Sequence, residues 1–394
     1  MRTLLIVDSY LPEPKATGPM FHSLSRELTA RGHRVTILTL SSAIAERVCV
    51  RDEEGVRIIR VRSPKMKGIH LVRRGLTELV LSRLVWMRAK REIDAVRADL
   101  IAFYSPTIFW APLVRRLKRR WGAKTVLILR DIFPRWALDA GQMRRGPHYS
   151  LLQYYAEFQF RVADRIGVQS PNNATYLRAE MPQYLDKIGV LFNWTGIDSN
   201  GAIEDPRPQL GIAESTTVFL YGGNLGTAQD PDLLLETARV LRGADAFLLI
   251  IGEGFAAERV QQTIAQEQMS NIAFWPSVSQ ERFLAIARAC DVGLVALNPT
   301  LSTHNFPGKL LTYAAAAIPV LASVNRGNDL RDVLESTESG LCTWADEPEQ
   351  FIAAARTLAD DKYLRQRLAS NVRQKLATVF SVERAADFIL EAAR

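Results

Sequence analysis

Cysteine is scarce in this 394-residue sequence, and the three cysteines that it contains lie far apart. Cys49, Cys290 and Cys342 fit neither the spacing of a metal site nor that of a redox pair, which excludes a disulfide framework and a cysteine-based zinc site. Long apolar runs are also missing, because no stretch reaches the roughly 18 apolar residues of a membrane span. The opening apolar run, Leu4–Val7, is too short for a secretion signal. We therefore expect a cytoplasmic protein that is soluble or peripheral to a membrane.

The net charge of +8 combines two unequal parts of the chain. Residues 1–190 contain 33 Lys and Arg against 17 Asp and Glu, a charge of +16, and the rest contains 17 against 25, a charge of −8. A strongly basic half predicts a polyanionic partner, either nucleic acid or an anionic membrane. The alternative interpretation is that this surface charge serves solubility alone.

Apolar runs of strand length alternate with segments of helical period along the whole sequence, which is typical of doubly wound parallel sheets. A segment rich in Gly, Pro and Asp, residues 193–208, has no periodicity and separates two halves. We predict an α/β protein with a Rossmann-like domain at 1–195, a second one at 196–375, and a C-terminal helix at 376–394 that packs back on the first domain. Two such domains facing each other would create a cleft at the carboxyl ends of their strands.

The predicted strands of the first domain are 3–7, 34–40, 57–61, 100–103, 125–129, 165–169 and 187–191. The predicted strands of the second domain are 217–221, 246–251, 272–275, 292–295 and 320–322. Asp230 followed by Pro231 predicts a helix N-cap with proline at the first helical position, so we assign the acidic pair Asp230 and Asp232 to helix initiation and not to a metal site.

The segment that begins at Pro307 is the most informative part of the sequence. Pro307 and Gly308 form a turn that opens a helix, Lys309 adds a positive charge at its start, and Pro319 ends it before a buried strand. Free main-chain N–H groups at a helix start attract anions, and the helix dipole favours the same charge. The pattern predicts a phosphate or diphosphate ligand, and an ordinary turn before a core helix is the alternative.

Four further short segments follow predicted strands, at the edge where open parallel sheets bind ligands. They contain Gly18, Arg130 with Asp131, Gly223 with Asn224, and Gly252 with Glu253. Glycine lets the main chain approach a ligand closely, whereas each segment by itself is also compatible with a plain turn. Their occurrence together and in this order is the stronger signal.

In this order the segments resemble the family 4 glycosyltransferases, retaining enzymes of the GT-B fold with two Rossmann-like domains. Residues 14–40 are similar to the family's opening loop, helix and second strand, and residues 193–198 to its interdomain hinge. The Gly-Asn-Leu-Gly, Gly-Glu-Gly and Pro-Gly-Lys segments resemble a bacterial subgroup that builds O-antigen and capsule, including N-acetylfucosaminyl transferases.

The resemblance implies an activity and its substrates. A sugar such as a 2-acetamido-6-deoxyhexose would pass, with retention, from a nucleotide diphosphate sugar to a polyprenyl-diphosphate-linked saccharide, and UDP is the expected nucleotide. The resemblance also implies chemistry that needs no metal and no other cofactor, since the nucleotide sugar is a substrate.

The sequence departs from the family at four positions. The family's two glutamates, which contact the donor hexose and ribose hydroxyls, fall on His304 and Thr312. The family's basic pair, which neutralises the diphosphate, falls on the uncharged Asn224 and Gln229. We expect the charge neutralisation to have moved to Lys309 and the adjoining helix start, with a second cation reaching across from the first domain.

The predicted catalytic residues are Lys309, Asp131, Arg130 and His304. Asp131 is expected to orient the acceptor hydroxyl or the donor sugar, and a structural role is its alternative. The predicted donor-binding residues are Gly18, Gly223, Asn224, Gly252, Glu253, Asn305, Pro307, Gly308 and Thr312.

A helical stripe in the basic half predicts where the acceptor binds. Its apolar members are Leu76, Leu79, Val80, Leu84 and Met87, and lysines and arginines flank it. Arg83 interrupts the stripe, and a cation there suits a bilayer interface better than a sealed core. The basic run 115–120 belongs either to the same patch or to a helix end whose dipole it complements. We expect association with the inner face of the cell membrane, and an amphipathic core helix is the alternative.

Two rival functions use the same features. A GT-B nucleotide-sugar epimerase would keep the donor pocket and need no lipid acceptor. A nucleic-acid-binding protein would use the basic half, but neither aromatic stacking platforms nor a groove-reading helix accompany the basic clusters. We therefore expect no nucleic acid partner.

Overall fold

The computed structural model describes residues 1–13, 17–64, 78–105, 107–139, 143–196, 201–300 and 306–393. The chain forms two compact units: Met1–Gly196 with Val382–Arg394 make up the first, and Ile197–Ser381 the second. Each unit has its own sheet and hydrophobic core. The predicted α/β class with parallel sheets is confirmed.

The first unit contains an eight-stranded sheet of order β3-β4-β2-β1-β5-β6-β7-β8. Its strands are β1 (Arg2–Ile6), β2 (Arg34–Ser41), β3 (Val48–Glu53), β4 (Val56–Arg62), β5 (Leu100–Ser105), β6 (Lys124–Leu129), β7 (Arg165–Val168) and β8 (Ile188–Val190). Neighbours are parallel except for β3 and β4, which form an antiparallel hairpin at one edge. The strand β3 is absent from the predicted set, because it is largely exposed and carries no apolar run.

Helices cover both faces of the first sheet. They begin with α1 (Thr17–Ala30), α2 (Leu81–Asp94), α3 (Ala111–Trp121), α4 (Arg135–Asp139), α5 (Pro147–Val162) and α6 (Pro171–Glu180). The helices α2, α3 and α5 share one hydrophobic core, and α1 packs into the core on the opposite face. This arrangement places the basic helices α2 and α3 beside α5 on one face of the unit.

The second unit contains a six-stranded parallel sheet of order β11-β10-β9-β12-β13-β14. Its strands are β9 (Thr217–Asn224), β10 (Ala246–Glu253), β11 (Ile272–Pro276), β12 (Val292–Ala296), β13 (Val320–Val324) and β14 (Gly340–Trp344). Numbered within the unit, the order is 3-2-1-4-5-6, that of dinucleotide-binding folds. The strand β14 is also absent from the predicted set, because it is a half-buried edge strand of five residues whose composition is mixed.

The helices of the second unit are α7 (Arg207–Leu210), α8 (Pro231–Val240), α9 (Ala257–Gln266), α10 (Gln280–Ala287), α11 (Lys309–Ala316), α12 (Asp329–Thr337), α13 (Pro348–Asp360), α14 (Lys362–Asn371) and α15 (Ala377–Val379). The predicted cap of α8 is confirmed, since the Asp230 carboxylate accepts the Leu233 N–H at 3.0 Å. Asp232 instead pairs with Arg259.

The chain re-enters the first unit through α16 (Val382–Glu391), which packs on the same face of the sheet as α1. The Arg31 guanidinium of α1 lies 2.6 Å from the Asp387 carboxylate. The Phe388 ring fills space left by glycine, because a Cβ on Gly167 would lie 2.9 Å from it. The last helix is therefore part of the core of the first unit.

Both sheets reverse their strand order beside their own first strand. The reversal lies between β1 and β5 in the first unit and between β9 and β12 in the second. Ligands of open parallel sheets bind in the crevice at such a reversal, outside the carboxyl ends of the strands. These two crevices are where functional side chains are expected.

Candidate active site

The crevice of the second unit is spanned by the buried side chain of Tyr313 on α11. Its hydroxyl accepts the Gly222 N–H at 3.2 Å and lies 3.1 and 3.0 Å from the carbonyl oxygens of Leu220 and Leu294, to one of which it donates. The ring lies against Gly293, where a Cβ would come within 2.5 Å of it. Because these partners belong to β9 and β12, Tyr313 fixes α11 at the point where the two strands part.

The start of α11 presents main-chain donors. Gly308 has helical angles, φ −64° and ψ −22°, and a Cβ at this position would meet nothing within 4 Å. Within the described residues, the N–H groups of Gly308 and Lys309 donate no hydrogen bond. Pro307 and Phe306 are buried beneath them, with the Phe306 ring 6.0 Å from that of Phe380. Among the described residues, these main-chain donors are therefore available to a ligand, and the predicted phosphate site at this helix start stays a prediction.

Lys309 is a largely buried cation that has no anionic partner among the described residues. Its ammonium donates to Oε1 of Gln229 at 2.8 Å and lies 3.9 Å from the centre of the Tyr221 ring. Burial lowers the pKa of Lys309 to about 7, and no described carboxylate opposes the shift. An unpaired ammonium in such a place is costly, so an anion that entered the crevice would be strongly favoured.

Gln229 is held in place by the strand end on the other side of the crevice. It forms an isolated bridge with Leu297, and the Asn298 amide group donates to the Thr227 carbonyl at 3.0 Å. The Tyr221 hydroxyl lies 3.2 Å from Oε1 of Gln229, so this oxygen faces both the ring hydroxyl and the ammonium. Gln229, at a position that is basic in the family, therefore supplies no charge here. It instead holds the Lys309 ammonium of α11 in place.

The glycines at the ends of β9 and β10 serve different purposes. Gly223 has a φ of +113°, and a Cβ at this position would meet nothing within 4 Å, so Gly223 leaves the crevice open. A Cβ on Gly252 would lie 2.0 Å from the Gly223 carbonyl oxygen, which makes Gly252 a packing requirement between strands. Asn224 is exposed beside Gly223, and the Glu253 carboxylate accepts the hydroxyl of Ser277 at 3.0 Å.

Arg130 lies at the carboxyl end of β6 in the first unit and is engaged by its own unit. Its guanidinium donates to the carbonyl oxygens of Leu191 and Phe192 at 2.5 and 3.3 Å and lies 5.4 Å from the Trp194 ring centre. Burial lowers its pKa to about 10. These contacts tie Arg130 to the main chain that leaves β8, and its predicted catalytic role stays a prediction.

Asp131 is the next residue, and its side chain is exposed. Desolvation by its surroundings raises the pKa of Asp131, whereas the neighbouring Arg130 charge acts in the opposite direction.

Gly18 is buried in the first turn of α1, where a Cβ would lie 3.2 Å from both the main-chain nitrogen and a side-chain methyl of Leu11. This glycine therefore accommodates the packing of the loop that follows β1.

The remaining predicted residues belong to the segment around α11. Thr312 is half-buried, one turn after Gly308 on this helix. His304 and Asn305 lie outside the described residues.

Among those that the structure describes, no group of three or more His, Cys, Asp or Glu side chains is arranged to hold a metal ion. No helix within the same residues is both long and apolar enough to span a bilayer.

The sequence analysis predicts no role for Tyr313 or Tyr221. It identifies Gln229 only as an uncharged residue at a position where the family has a basic one. Tyr313 was detectable, since it follows Lys309 by four residues and so lies on the neighbouring turn of the same helix. The contact between Gln229 and Lys309 was not, because it joins residues 80 positions apart.

Comparison with known families agrees with this geometry. Residues 202–375 match the family described as Glycosyl transferases group 1, and residues 16–194 match the Glycosyl transferase 4-like domain. The chain belongs to the group 1 glycosyltransferases. The expected GT-B fold and glycosyltransferase activity are thereby confirmed.

Individual relatives are distant but similar over most of their length. WcaI of Escherichia coli K12, named as a colanic acid biosynthesis glycosyl transferase, is 24% identical over 90% of this chain and 91% of its own. WbjE of Pseudomonas aeruginosa, named as a glycosyltransferase, is 24% identical over 75% and 73%. Among solved structures, sucrose-phosphate synthase of Thermosynechococcus elongatus has a TM-score of 0.72 at 15% identity, over 99% of this chain and 98% of that one. Anabaena HepE in complex with UDP and glucose has a TM-score of 0.66 at 16% identity, with the same coverage.

Proposed function

We propose that this enzyme transfers a sugar, with retention, from a UDP-sugar to a polyprenyl-diphosphate-linked saccharide in the synthesis of a bacterial cell-surface polysaccharide. The observation that carries the proposal is the unpaired ammonium of Lys309 beside the open start of α11, at the strand reversal of the second unit. The UDP complex of HepE and the name of WcaI support the nucleotide and the pathway class.

The proposed chemistry depends on stabilising the leaving group. As the glycosidic bond breaks, the departing UDP gains negative charge at its diphosphate. The Lys309 ammonium and the N–H groups at the helix start are oriented before the reaction, so they stabilise this charge without rearrangement. In this proposal Lys309 supplies the positive charge that the family places at the positions of Asn224 and Gln229, and no metal or other cofactor takes part.

The sugar and its acceptor are the second part of the proposal. A 2-acetamido-6-deoxyhexose such as N-acetylfucosamine follows from the resemblance of the glycine segments to O-antigen and capsule enzymes. We assign Asp131 to orienting the acceptor hydroxyl or the donor sugar. With Asp131→Asn, transfer should fall roughly tenfold while the UDP-induced rise in melting temperature is unchanged, and an equal loss of both would contradict this role.

The acceptor lipid places the enzyme at a membrane, and α2 supports this part of the proposal. Leu81, Val85 and Ile93 face the core, and Leu79 and Leu84 of the predicted stripe are half-buried against the same core. Val80 and Met87 are instead 50% and 64% exposed, on the side where Arg83 is also exposed. Exposed apolar side chains next to cations suit the interface of an anionic bilayer. Leu76 lies outside the described residues.

The decisive experiment is a turnover assay with a panel of nucleotide sugars, with and without a polyprenyl-diphosphate-linked saccharide. We expect sugar transfer and release of UDP only when the acceptor is present. Altered sugar configuration without acceptor would identify an epimerase instead. A thermal-shift panel identifies the nucleotide independently, because a ligand that binds the folded state raises the melting temperature.

A further inference from the structure

A cleft in the first unit lies away from the strand ends that carry the proposed chemistry. It has a volume of about 680 Å³ and lies between the C-terminal ends of α3 and α5, beside the start of β6. Its lining includes five cations but only one carboxylate: Arg115, Lys118, Arg119, Lys124, Arg161 and Asp164. Because the strands of a parallel sheet all start at one edge and end at the other, this cleft and Asp131 lie at opposite edges.

Only one of these cations is neutralised within the cleft. The Lys118 ammonium lies 2.7 Å from the Asp164 carboxylate and also donates to the Val162 carbonyl oxygen at 3.0 Å. Both carboxylate oxygens of Asp164 are therefore engaged, because the second oxygen accepts the N–H of Thr125. The other four cations form no ion pair with any described carboxylate.

The unpaired arginines are positioned by aromatic rings. The Arg115 guanidinium lies 5.6 Å from the Phe158 ring centre, and that of Arg161 lies 5.4 Å from the Tyr154 ring centre and 5.7 Å from Phe158. These ring contacts use none of the N–H donors of the two exposed guanidinium groups, so those donors are available to a planar or tetrahedral anion. The chemistry of the cleft therefore suits an oxyanion.

The rim of the cleft is apolar and exposed. Tyr154 is 54% exposed, and Leu151, one turn earlier on α5, is 44% exposed. On its other side α3 reaches α2, where the Arg116 guanidinium lies 4.9 Å from the Trp86 ring centre. A soluble phosphate compound would gain nothing from these apolar groups, whereas the headgroup and upper acyl chain of a membrane lipid would contact both.

From this arrangement we propose that the cleft between α3 and α5 binds the phosphodiester headgroup of an acidic membrane lipid, with Arg115 and Arg161 as its principal donors. The inference rests on the membrane association proposed above and gives it a defined site. It also predicts specificity for anionic over zwitterionic lipid, which a general apolar stripe would not provide.

The test is flotation of the full-length protein with vesicles of phosphatidylcholine, alone or mixed with phosphatidylglycerol. The double variant Arg115→Gln/Arg161→Gln should bind the mixed vesicles about 30-fold more weakly, at roughly fivefold per cation. The control Arg34→Gln/Arg47→Gln removes the same charge from exposed positions of the first unit and should bind like the unchanged protein. Equal weakening in both variants would overturn the proposal, because net charge would then explain the binding.

Two further measurements distinguish a lipid headgroup from a soluble phosphate, and failure of the lipid site from failure of the proposed function. If soluble glycerol 3-phosphate raises the melting temperature of the unchanged protein but not of the double variant, and vesicle binding is the same in both, the site binds a soluble phosphate and the lipid assignment is wrong. The double variant should keep its UDP-induced thermal shift, which shows that it folds. Absence of that shift and of sugar transfer in the unchanged protein would contradict the proposed function, whatever the vesicles show.

Discussion

Each of the two units reverses its strand order beside its first strand, but the cations at their crevices are in opposite situations. Arg130 in the first unit donates to two main-chain carbonyl oxygens and lies over an indole ring. Lys309 in the second unit has one neutral amide oxygen and one ring face. Both are largely buried, yet burial lowers the pKa of Lys309 to about 7 and leaves that of Arg130 at about 10.

This difference shows that a shared fold does not determine where the chemistry takes place. Arg130 gives two of its five guanidinium N–H donors to main-chain carbonyls, which ties the side chain to its own unit, although its buried Nε has no hydrogen-bond partner among the described residues. A cation held by a single amide retains two donors for an incoming anion. The following variants either remove this contrast between the units or reverse it.

The largest effect is expected from removing the free cation with Lys309→Met. Loss of a preorganised charge at the leaving group should lower kcat by roughly 10²- to 10³-fold, about 3 to 4 kcal/mol of barrier. The UDP-induced thermal shift should also become smaller, because the diphosphate loses one charge-assisted contact. The ligand-free protein should melt at the same temperature or higher, because a buried unpaired charge is removed.

Lys362→Met is the matched control, since Lys362 is exposed in the same unit. Its kinetics and its UDP response should be unchanged. Full activity of Lys309→Met would exclude Lys309 from the site.

A second variant makes the second unit resemble the first by giving Lys309 a permanent partner. Gln229→Glu places a carboxylate where an amide oxygen now lies 2.8 Å from the ammonium. The ligand-free protein should become more stable, and UDP should bind roughly 10- to 100-fold more weakly, because a charge-assisted hydrogen bond is worth about 1.5 to 3 kcal/mol. Calorimetric titration and thermal melts give the two quantities.

Gln229→Leu distinguishes the effect of holding the Lys309 ammonium in place from the effect of an added negative charge. It removes the contact without adding a carboxylate, so it should weaken UDP binding without raising the melting temperature. Tighter binding in Gln229→Glu would contradict the proposed role of the ammonium.

Much of the fold could be predicted from the sequence, because alternating apolar runs and helix signals follow from local chemistry. The start of α11 and the cap of α8 are examples, since each depends on a few adjacent residues. The strand β3 was not predictable in this way, because it is an exposed edge strand stabilised by its hairpin partner.

The site was only partly predictable. Lys309 could be chosen from its position at a helix start, but its partner Gln229 lies in a distant loop and appeared only as a missing charge. Arg130 illustrates the opposite case: the sequence shows a cation at a strand end, whereas its hydrogen bonds go to main-chain carbonyls 61 and 62 residues away. Such long-range hydrogen bonds decide how each cation is held, and no local pattern contains them.

Arg130→Met tests whether Arg130 contributes to the stability of the first unit. Leaving the Leu191 and Phe192 carbonyls without donors should reduce the free energy of unfolding by about 2 kcal/mol, measured by urea denaturation. Arg34→Met, an exposed change in the same unit, should alter it by less than about 0.5 kcal/mol. A normal unfolding curve combined with loss of UDP binding would instead place Arg130 in the ligand site.

The smallest effect is expected from pH, and its sign follows from the lowered pKa of Lys309. UDP affinity should be highest below about pH 7, where the ammonium is charged, and should fall above it by at most about tenfold per pH unit. The contribution of Lys309 to stability has the opposite sign. Between about pH 7 and the ordinary lysine value of 10.5 the unfolded chain binds a proton that the folded chain does not, so this group stabilises the ligand-free protein as pH rises. Calorimetric titrations from about pH 6 to 8 should show the fall in affinity, and Lys309→Met should abolish this dependence; the same slope in that variant would assign it to another group.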